Sequence, residues 1–482
     1  MPIDDRTPVL VGAAGIEHRE DESTLGRRPG ELRAQPLHAS ATDAGCPDLL
    51  ARADSIRAPR GFWDYPDPCR QLAARFGAAG ARTVVAELGI LQTTLFGGAA
   101  RDIAAGEADV VLITGGEAKY RALRSHITGT PAGLTKEPGT PDAVLRPHAD
   151  IVSPREIELG LGMPVTQYAM MDNALRFAEE QSLDEHRREV AELWAGMSRV
   201  AAGNAAAWQR EAVSADAIRE PQGKNRMLAF PYTKLHNSQW NVDQAAGLVL
   251  CSAATARALG IARDRWIFPL AVADANQMLP MTERAELHRS FGFRHAGQRA
   301  LEHAGLTIDD VAHLELYSCF PIAVRVQQRE LAIDPQRPVT LTGGMAFAGG
   351  PLNNFVLQAM VAMVETLRRH PCDAGRVTAV SGMLTKQGDS LWSSEPPRDG
   401  FRFDDVTEVV VHDQQSRSCV DGASGAARVA SYTVSCGADG PELGLLLCDL
   451  DDGQRTVATT RERDTMAAMM REEHCGRRVT LR

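Results

Sequence analysis

Short apolar runs alternate with segments of helical period along the first 120 positions. Pro8-Val9-Leu10-Val11-Gly12 is an apolar run that stops at a glycine, the pattern of a buried strand. Ala81 to Leu88 is a second strand by the same criterion. From Gln92 onward Leu95, Ala99 and Ile103 recur every fourth position, which predicts a helix closed by Gly106 as its C-cap. Asp109 to Thr114 then forms a strand that runs into a turn at Gly115-Gly116. Strand, helix and strand with short connections make a βαβ unit of a parallel sheet.

The pattern breaks between about 120 and 245. Thr128 to Pro154 is rich in Pro, Gly, Thr and charge and reads as irregular loop, with helices predicted over Pro164–Gln181 and Asp184–Asn204. Regular alternation resumes with a strand at Ala245–Leu250. The second half then repeats the first in its order of elements. A strand at Trp266–Ala273 precedes an amphipathic helix over Glu283–Ala304 and a strand at Ala312–Tyr317. A Gly-rich loop at Gly343-Gly344, an apolar helix over Asn353–Arg369 and a strand at Arg376–Val380 follow. Beyond residue 405 four strand-like runs are closely spaced: Val406–His412, Ala427–Cys436, Leu443–Leu450 and Gln454–Thr460. A helix is predicted at Asp464–Glu473. Antiparallel strands after an α/β body imply a separate small β domain.

Composition narrows the function class. The net charge of −10 disfavours nucleic acid and anionic membrane as partners, because both select basic faces. No apolar run is long enough to span a bilayer, and Met1 to Gly12 lacks the basic start and apolar stretch of a signal peptide, so a cytoplasmic location is expected. Nine scattered cysteines fit reduced thiols, and without a Cys-x-x-Cys pair or His-Glu-x-x-His no metal is expected. Neither phosphate-loop glycine pattern is present, which argues against a nucleotide. Lysines number five, so candidates for Schiff-base chemistry are few.

Three stretches carry a family resemblance. Gly97-Gly98-Ala99-Ala100 through Ile103-Ala104-Ala105-Gly106-Glu107-Ala108-Asp109-Val110-Val111-Leu112-Ile113-Thr114-Gly115-Gly116 resembles the helix and strand that follow the nucleophile loop of thiolases. Tyr317-Ser318-Cys319-Phe320 falls where sterol-carrier-type thiolases have His-Asp-Cys-Phe. Gly343-Gly344 to Gly349-Gly350-Pro351 resembles the thiolase loop Gly-Gly-x-x-x-x-Gly-His-Pro. Further phrases, among them Pro231-Tyr232-Thr233-Lys234 and Leu384-Thr385-Lys386, are similar to thiolase-like proteins of the acetyl-CoA acetyltransferase-like, sterol-carrier-type branch. The tail from Ala427 to Arg455 resembles the OB-fold proteins that partner thiolase-like aldolases. The resemblance implies an α/β thiolase fold: two βαβαβαββ halves in five layers, αβαβα, with an inserted loop domain and a small C-terminal β domain. The implied boundaries are 1–119 with 246–264 for the N-terminal half, 120–245 for the insertion, 265–404 for the C-terminal half and 405–482 for an OB-like β-barrel.

The same resemblance says what should stand at each catalytic place. A thiolase uses a cysteine at a helix N-terminus as acyl acceptor, a histidine to activate it and a second cysteine to move the α-proton. Here the nucleophile position is Gly89, the activating histidine is Gly350, the His-Asp pair is Tyr317-Ser318, and the second cysteine loop is Val380-Ser381-Gly382. Cys319 alone keeps a catalytic residue type.

Each candidate has a plain alternative. Cys319 reads as a functional thiol or a small buried apolar residue, and Tyr317 as an acid/base phenol or an ordinary buried tyrosine. Gly350 reads as a turn or as an amide facing an oxyanion, and Ser381 marks the degenerate second loop. Lys386 reads as a ligand contact or a solvated surface lysine. Lys234 would touch pantetheine or phosphate, and nearby His236 is taken as an ordinary loop residue. The expected function is binding of an acyl-CoA-type thioester in lipid metabolism without ordinary thiolase turnover, and with coenzyme A or acyl-CoA as ligand rather than a covalent cofactor. Alternatives are a retro-aldolase on β-hydroxyacyl-CoA esters and a non-catalytic binding or regulatory protein. A monomer or a homodimer is expected, the former if the C-terminal domain covers a sheet edge.

Overall fold

The computed structural model describes residues 3–22, 26–131, 133 and 139–481. Part of the loop predicted at 128–154, Lys136 included, lies outside them. The strands in chain order are β1 (Pro8–Glu17), β2 (Ser55–Pro59), β3 (Arg82–Ala86), β4 (Val110–Ala118), β5 (Ala143–Leu145), β6 (Met227–Ala229), β7 (Tyr232–Thr233) and β8 (Asp243–Ser252). The second half supplies β9 (Phe268–Ala275), β10 (Val311–Glu315), β11 (Ala374–Ser381), β12 (Lys386–Ser393) and β13 (Arg402–Asp405). The tail adds β14 (Gly425–Gly437), β15 (Gly440–Leu450), β16 (Arg455–Thr460) and β17 (Arg478–Leu481).

The first sheet runs β1-β8-β4-β2-β3-β5 and the second β10-β11-β12-β9-β13. Their shared core is one motif used twice. In the first half β1 and β4 flank β8 antiparallel and β2 joins β4 in parallel; in the second, β9 and β11 flank β12 and β10 joins β11 in the same senses. Between the sheets lie two helices, Gln92–Ala105 and Phe355–Arg369, whose Leu95, Phe96, Ala99, Met360 and Val364 are fully buried. A helix covered on both sides must be apolar nearly all round, and these are. Helices Pro29–Asp43 and Pro68–Phe76 cover the outer face of the first sheet, and Phe291–Ala304 and Pro321–Glu330 that of the second. The five layers αβαβα follow.

Several sequence expectations change. Gly115 and Gly116 are not a turn but lie within β4, where a Cβ would come within 2.5 Å of Asn354 Oδ1 and 2.7 Å of Ala245 Cβ respectively. Val406–His412 is not a strand: Thr407–Asp413 is helical, started by Asp405 accepting from the Thr407 amide at 2.8 Å, and Val406 and Val410 share its buried face. The helix predicted from Glu283 begins only at Phe291, because Arg284 and Ala285 are held extended against Ser416 and Gln415.

The tail strands are joined to the insertion. A third sheet, antiparallel at every pairing, runs β16-β15-β14-β6-β7, with β17 beside β14, so main-chain pairing crosses from residue 435 to 229. The insertion also supplies β5, which caps the outer edge of β3. The covered edge is therefore closed by residues 143–145 rather than by the C-terminal region. A buried ionic network anchors the insertion. Asp172 accepts from the Tyr232 hydroxyl at 2.6 Å and pairs with Arg325 at 2.7 Å and His186 at 3.2 Å.

Candidate functional site

The loop between β3 and the helix Gln92–Ala105 holds the position where the nucleophile was expected. Gly89 has φ +101°, a backbone setting that L side chains rarely adopt. A Cβ there would lie 2.8 Å from Ile151 Cγ2 and 2.9 Å from Pro147 Cγ. The space a reactive side chain would fill is occupied by the segment 147–151.

Lys386 reaches the same loop from the start of β12. Its Nζ donates to the Gly89 carbonyl at 2.7 Å, and the residue is only 1% exposed. No carboxylate pairs with it among the described residues, and burial pushes its pKa down to about 8. The solvated-surface reading of Lys386 is therefore wrong: the antiparallel pairing of β12 with β11 turns it inward, with Ser381 opposite. Ser381 itself ends β11, and its carbonyl accepts from the Thr385 hydroxyl at 3.1 Å.

Cys319 follows β10 and precedes the helix at Pro321. Its thiol lies beside the Tyr168 hydroxyl, which donates at 3.0 Å to the carbonyl of Gly382. Burial pushes the Cys319 thiol up to about 12, so no thiolate forms near neutral pH. Tyr317 belongs to the same electrostatic neighbourhood and burial raises its phenol too; its ring meets Phe355 edge-on at 6.0 Å. Both groups are protonated at pH 7. Ser318, in the place of the family's aspartate, has its Oγ accepting from the Met345 amide at 3.0 Å. Glu315 secures the Gly-rich loop by accepting from the amides of Leu341 and Thr342 at 2.6 and 2.8 Å.

A cavity of about 380 Å³ adjoins this region. Ile151, Val152, Met278, Met281 and Met383 give it apolar walls, and Glu156, Gln167 and Thr385 add polar atoms. Gln167 Nε2 donates to the Leu161 carbonyl at 2.8 Å and to Glu156 at 3.3 Å, which fixes the amide's orientation. Its Oε1 is left buried without a donor. Ile151 forms both a wall of the cavity and the packing over Gly89.

Comparison with known proteins agrees with this arrangement. Residues 405–482 match the thiolase-like protein type 1 additional C-terminal domain. A monomeric SCP2-thiolase-like protein type 1 from Mycobacterium smegmatis superposes with TM-score 0.85 at 28% identity, over 99% of this chain and 97% of that one. The chain is a thiolase-like protein of the thiolase superfamily. More distant folds include an Ltp2-ChsH2(DUF35) aldolase, with TM-score 0.63 and 18% identity over 82% of this chain and 99% of that one. The dimeric peroxisomal thiolase of Saccharomyces cerevisiae has TM-score 0.57 and 14% identity over 82% and 99%. No curated protein matches the sequence.

One of the two readings of Gly350 and the plain reading of His236 do not hold in this thiolase-like protein. The Gly350 amide donates to the Gln239 carbonyl at 2.8 Å, so it is not free to face an oxyanion. His236 is no ordinary loop residue: it is 2% exposed, its Nδ1 accepts from the Thr233 amide at 3.1 Å, and burial lowers its pKa to about 3. Lys234 stands exposed on the turn after β7. The fold thus brings Gly89 and Lys386 together, and Cys319 with Tyr317; Gly350 packs against Ser238, whose hydroxyl donates to the Cys319 carbonyl at 3.0 Å, and Lys234 points to solvent. Tyr168, the link from Cys319 to the β11–β12 turn, was missed because its helix, Gln167-Tyr168-Ala169-Met170-Met171, reads as plain core. Among the described residues no group of three or more His, Cys, Asp or Glu could hold a metal, and no helix is long and apolar enough to cross a membrane.

Proposed function

We infer that this thiolase-like protein binds an acyl thioester of the coenzyme A type without passing the acyl group through a cysteine. The observation that carries the reading is Ile151, which lines an apolar cavity on one side and occupies the nucleophile's space on the other. Apolar walls rich in methionine accept chains of variable shape. The protonated Cys319 makes thiolate chemistry unfavourable. The capped β3 edge supports a monomer as the working state.

Calorimetry with acetoacetyl-CoA and with coenzyme A tests the reading. Binding of the thioester that weakens at least tenfold in Met281→Trp, which fills the cavity, supports it. An unchanged affinity in that variant, or no binding by the intact chain, contradicts it.

A further inference from the structure

Lys386 has a geometry that a structural lysine seldom needs. Its ammonium is taken out of water, no carboxylate among the described residues offsets the charge, and its hydrogen-bond partner is a backbone carbonyl at 2.7 Å. A lysine held only to cap Gly89 could be replaced by any neutral donor at lower cost, since a desolvated charge is expensive. A neutral amine with one N–H on the Gly89 oxygen, by contrast, has its lone pair oriented and available. Thr385 and Ile151, which flank the Lys386–Gly89 pair in sequence and in space, both line the cavity.

We propose that Lys386 is an amine nucleophile that condenses with the ketone of a β-keto thioester or related 1,3-dicarbonyl compound entering from this cavity. The nitrogen lone pair forms a bond to the ketone carbon and the carbonyl electron pair moves to oxygen. That oxygen collects the two N–H protons and leaves as water, giving an imine. A proton from the carbon between the two carbonyls then moves to nitrogen, giving a conjugated enaminone. No oxidant or reductant is required. Burial supports the chemistry, since an amine with pKa of about 8 keeps a reactive neutral fraction at physiological pH. The proposal builds on the thioester-binding reading and names the group that would meet the ligand.

The full chain is treated with pentane-2,4-dione, a small 1,3-diketone that needs no coenzyme A site. The readouts are near-ultraviolet enaminone absorbance and peptide mapping of the adduct, whose mass is the diketone less one water. The expected result is one adduct per chain on Lys386, forming at least tenfold faster than on Lys234. It should be absent in Lys386→Met and faster in Ile151→Ala, which shortens the side chain that lines the cavity and packs over Gly89. Mapping on the unmodified sequence decides the matter even if Lys386→Met does not fold. Labelling of Lys386 no faster than that of Lys234, or none at all, overturns the proposal. If acetoacetyl-CoA binds while Lys386 stays unlabelled, the nucleophile is wrong and the binding reading stands. If Lys386 labels while no thioester binds, the nucleophile stands and its thioester substrate does not.

Discussion

The Lys386 ammonium donates to the carbonyl of Gly89 at 2.7 Å, joining the first residue of β12 to the loop where a thiolase would carry its nucleophile. The departure from the family pattern at Gly89 and the family-like Leu384-Thr385-Lys386 segment of the other half therefore meet at one hydrogen bond. The glycine supplies the oxygen and the lysine the buried charge.

Gly89→Ala is expected to destabilise the chain by about 2 kcal/mol or more. A non-glycine residue at a strongly positive φ costs about 1–3 kcal/mol, and the added carbon must also displace Pro147 and Ile151. Gly89→Cys should show at least the same loss in denaturant melts. Equal stability of Gly89→Ala and the parent would show that the segment 147–151 does not pack over this residue.

Lys386→Met should raise stability at pH 7, by about 1–2 kcal/mol. The depressed folded-state pKa means that between about 8 and 10.5 the unfolded chain binds more protons than the folded one, so this group's contribution to stability rises with pH through that window. At pH 7 the folded state carries nearly the full cost, which the methionine removes, less about 1 kcal/mol for the lost hydrogen bond. Thermal melts at pH 7 and pH 10 check it: the gap between variant and parent should narrow at the higher pH.

His236 gives the opposite window. Its folded pKa of about 3 lies below the ordinary value of 6.5, so its contribution is complete above 6.5 and is lost progressively as pH falls toward 3. His236→Asn should flatten the acid limb of the stability profile between pH 6.5 and 4. Parallel limbs in the two proteins would exclude His236 as a source of the acid sensitivity.

Asp172→Asn should cost about 3 kcal/mol, because Arg325 loses its one fully buried counter-ion and keeps only the partly exposed Glu179 and Glu189. The Tyr232 hydroxyl held by Asp172 also accepts from the Ile322 amide at 3.2 Å, three residues after Cys319. Loosened amide-exchange protection at Ile322, beyond the global loss, would mark that connection.

The five-layer body was legible because its strands and central helices bury apolar residues with clear period, as in Val110–Thr114 and Leu95, Ala99, Ile103. What escaped is polar and buried. The β12 strand reads Lys-Gln-Gly-Asp-Ser-Leu-Trp-Ser and carries no strand signal, since Asp389 is paired with Arg376 at 2.6 Å across the sheet and Lys386 donates to a carbonyl from another element. Such partners lie far off in sequence, so local pattern cannot reveal them. The site divided the same way: the absence of a cysteine near Gly89 was readable, but its replacement by Ile151 and Pro147 was not, because the insertion folds back over the loop.

Intact-mass measurement after incubation with acetyl-CoA and acetoacetyl-CoA tests the central claim most directly. A thiolase-like protein whose nucleophile space is filled should bind the thioester yet show no added acyl mass on any cysteine and release no coenzyme A. An acyl adduct on Cys319, with coenzyme A released at the rate of an ordinary thiolase, would contradict the account.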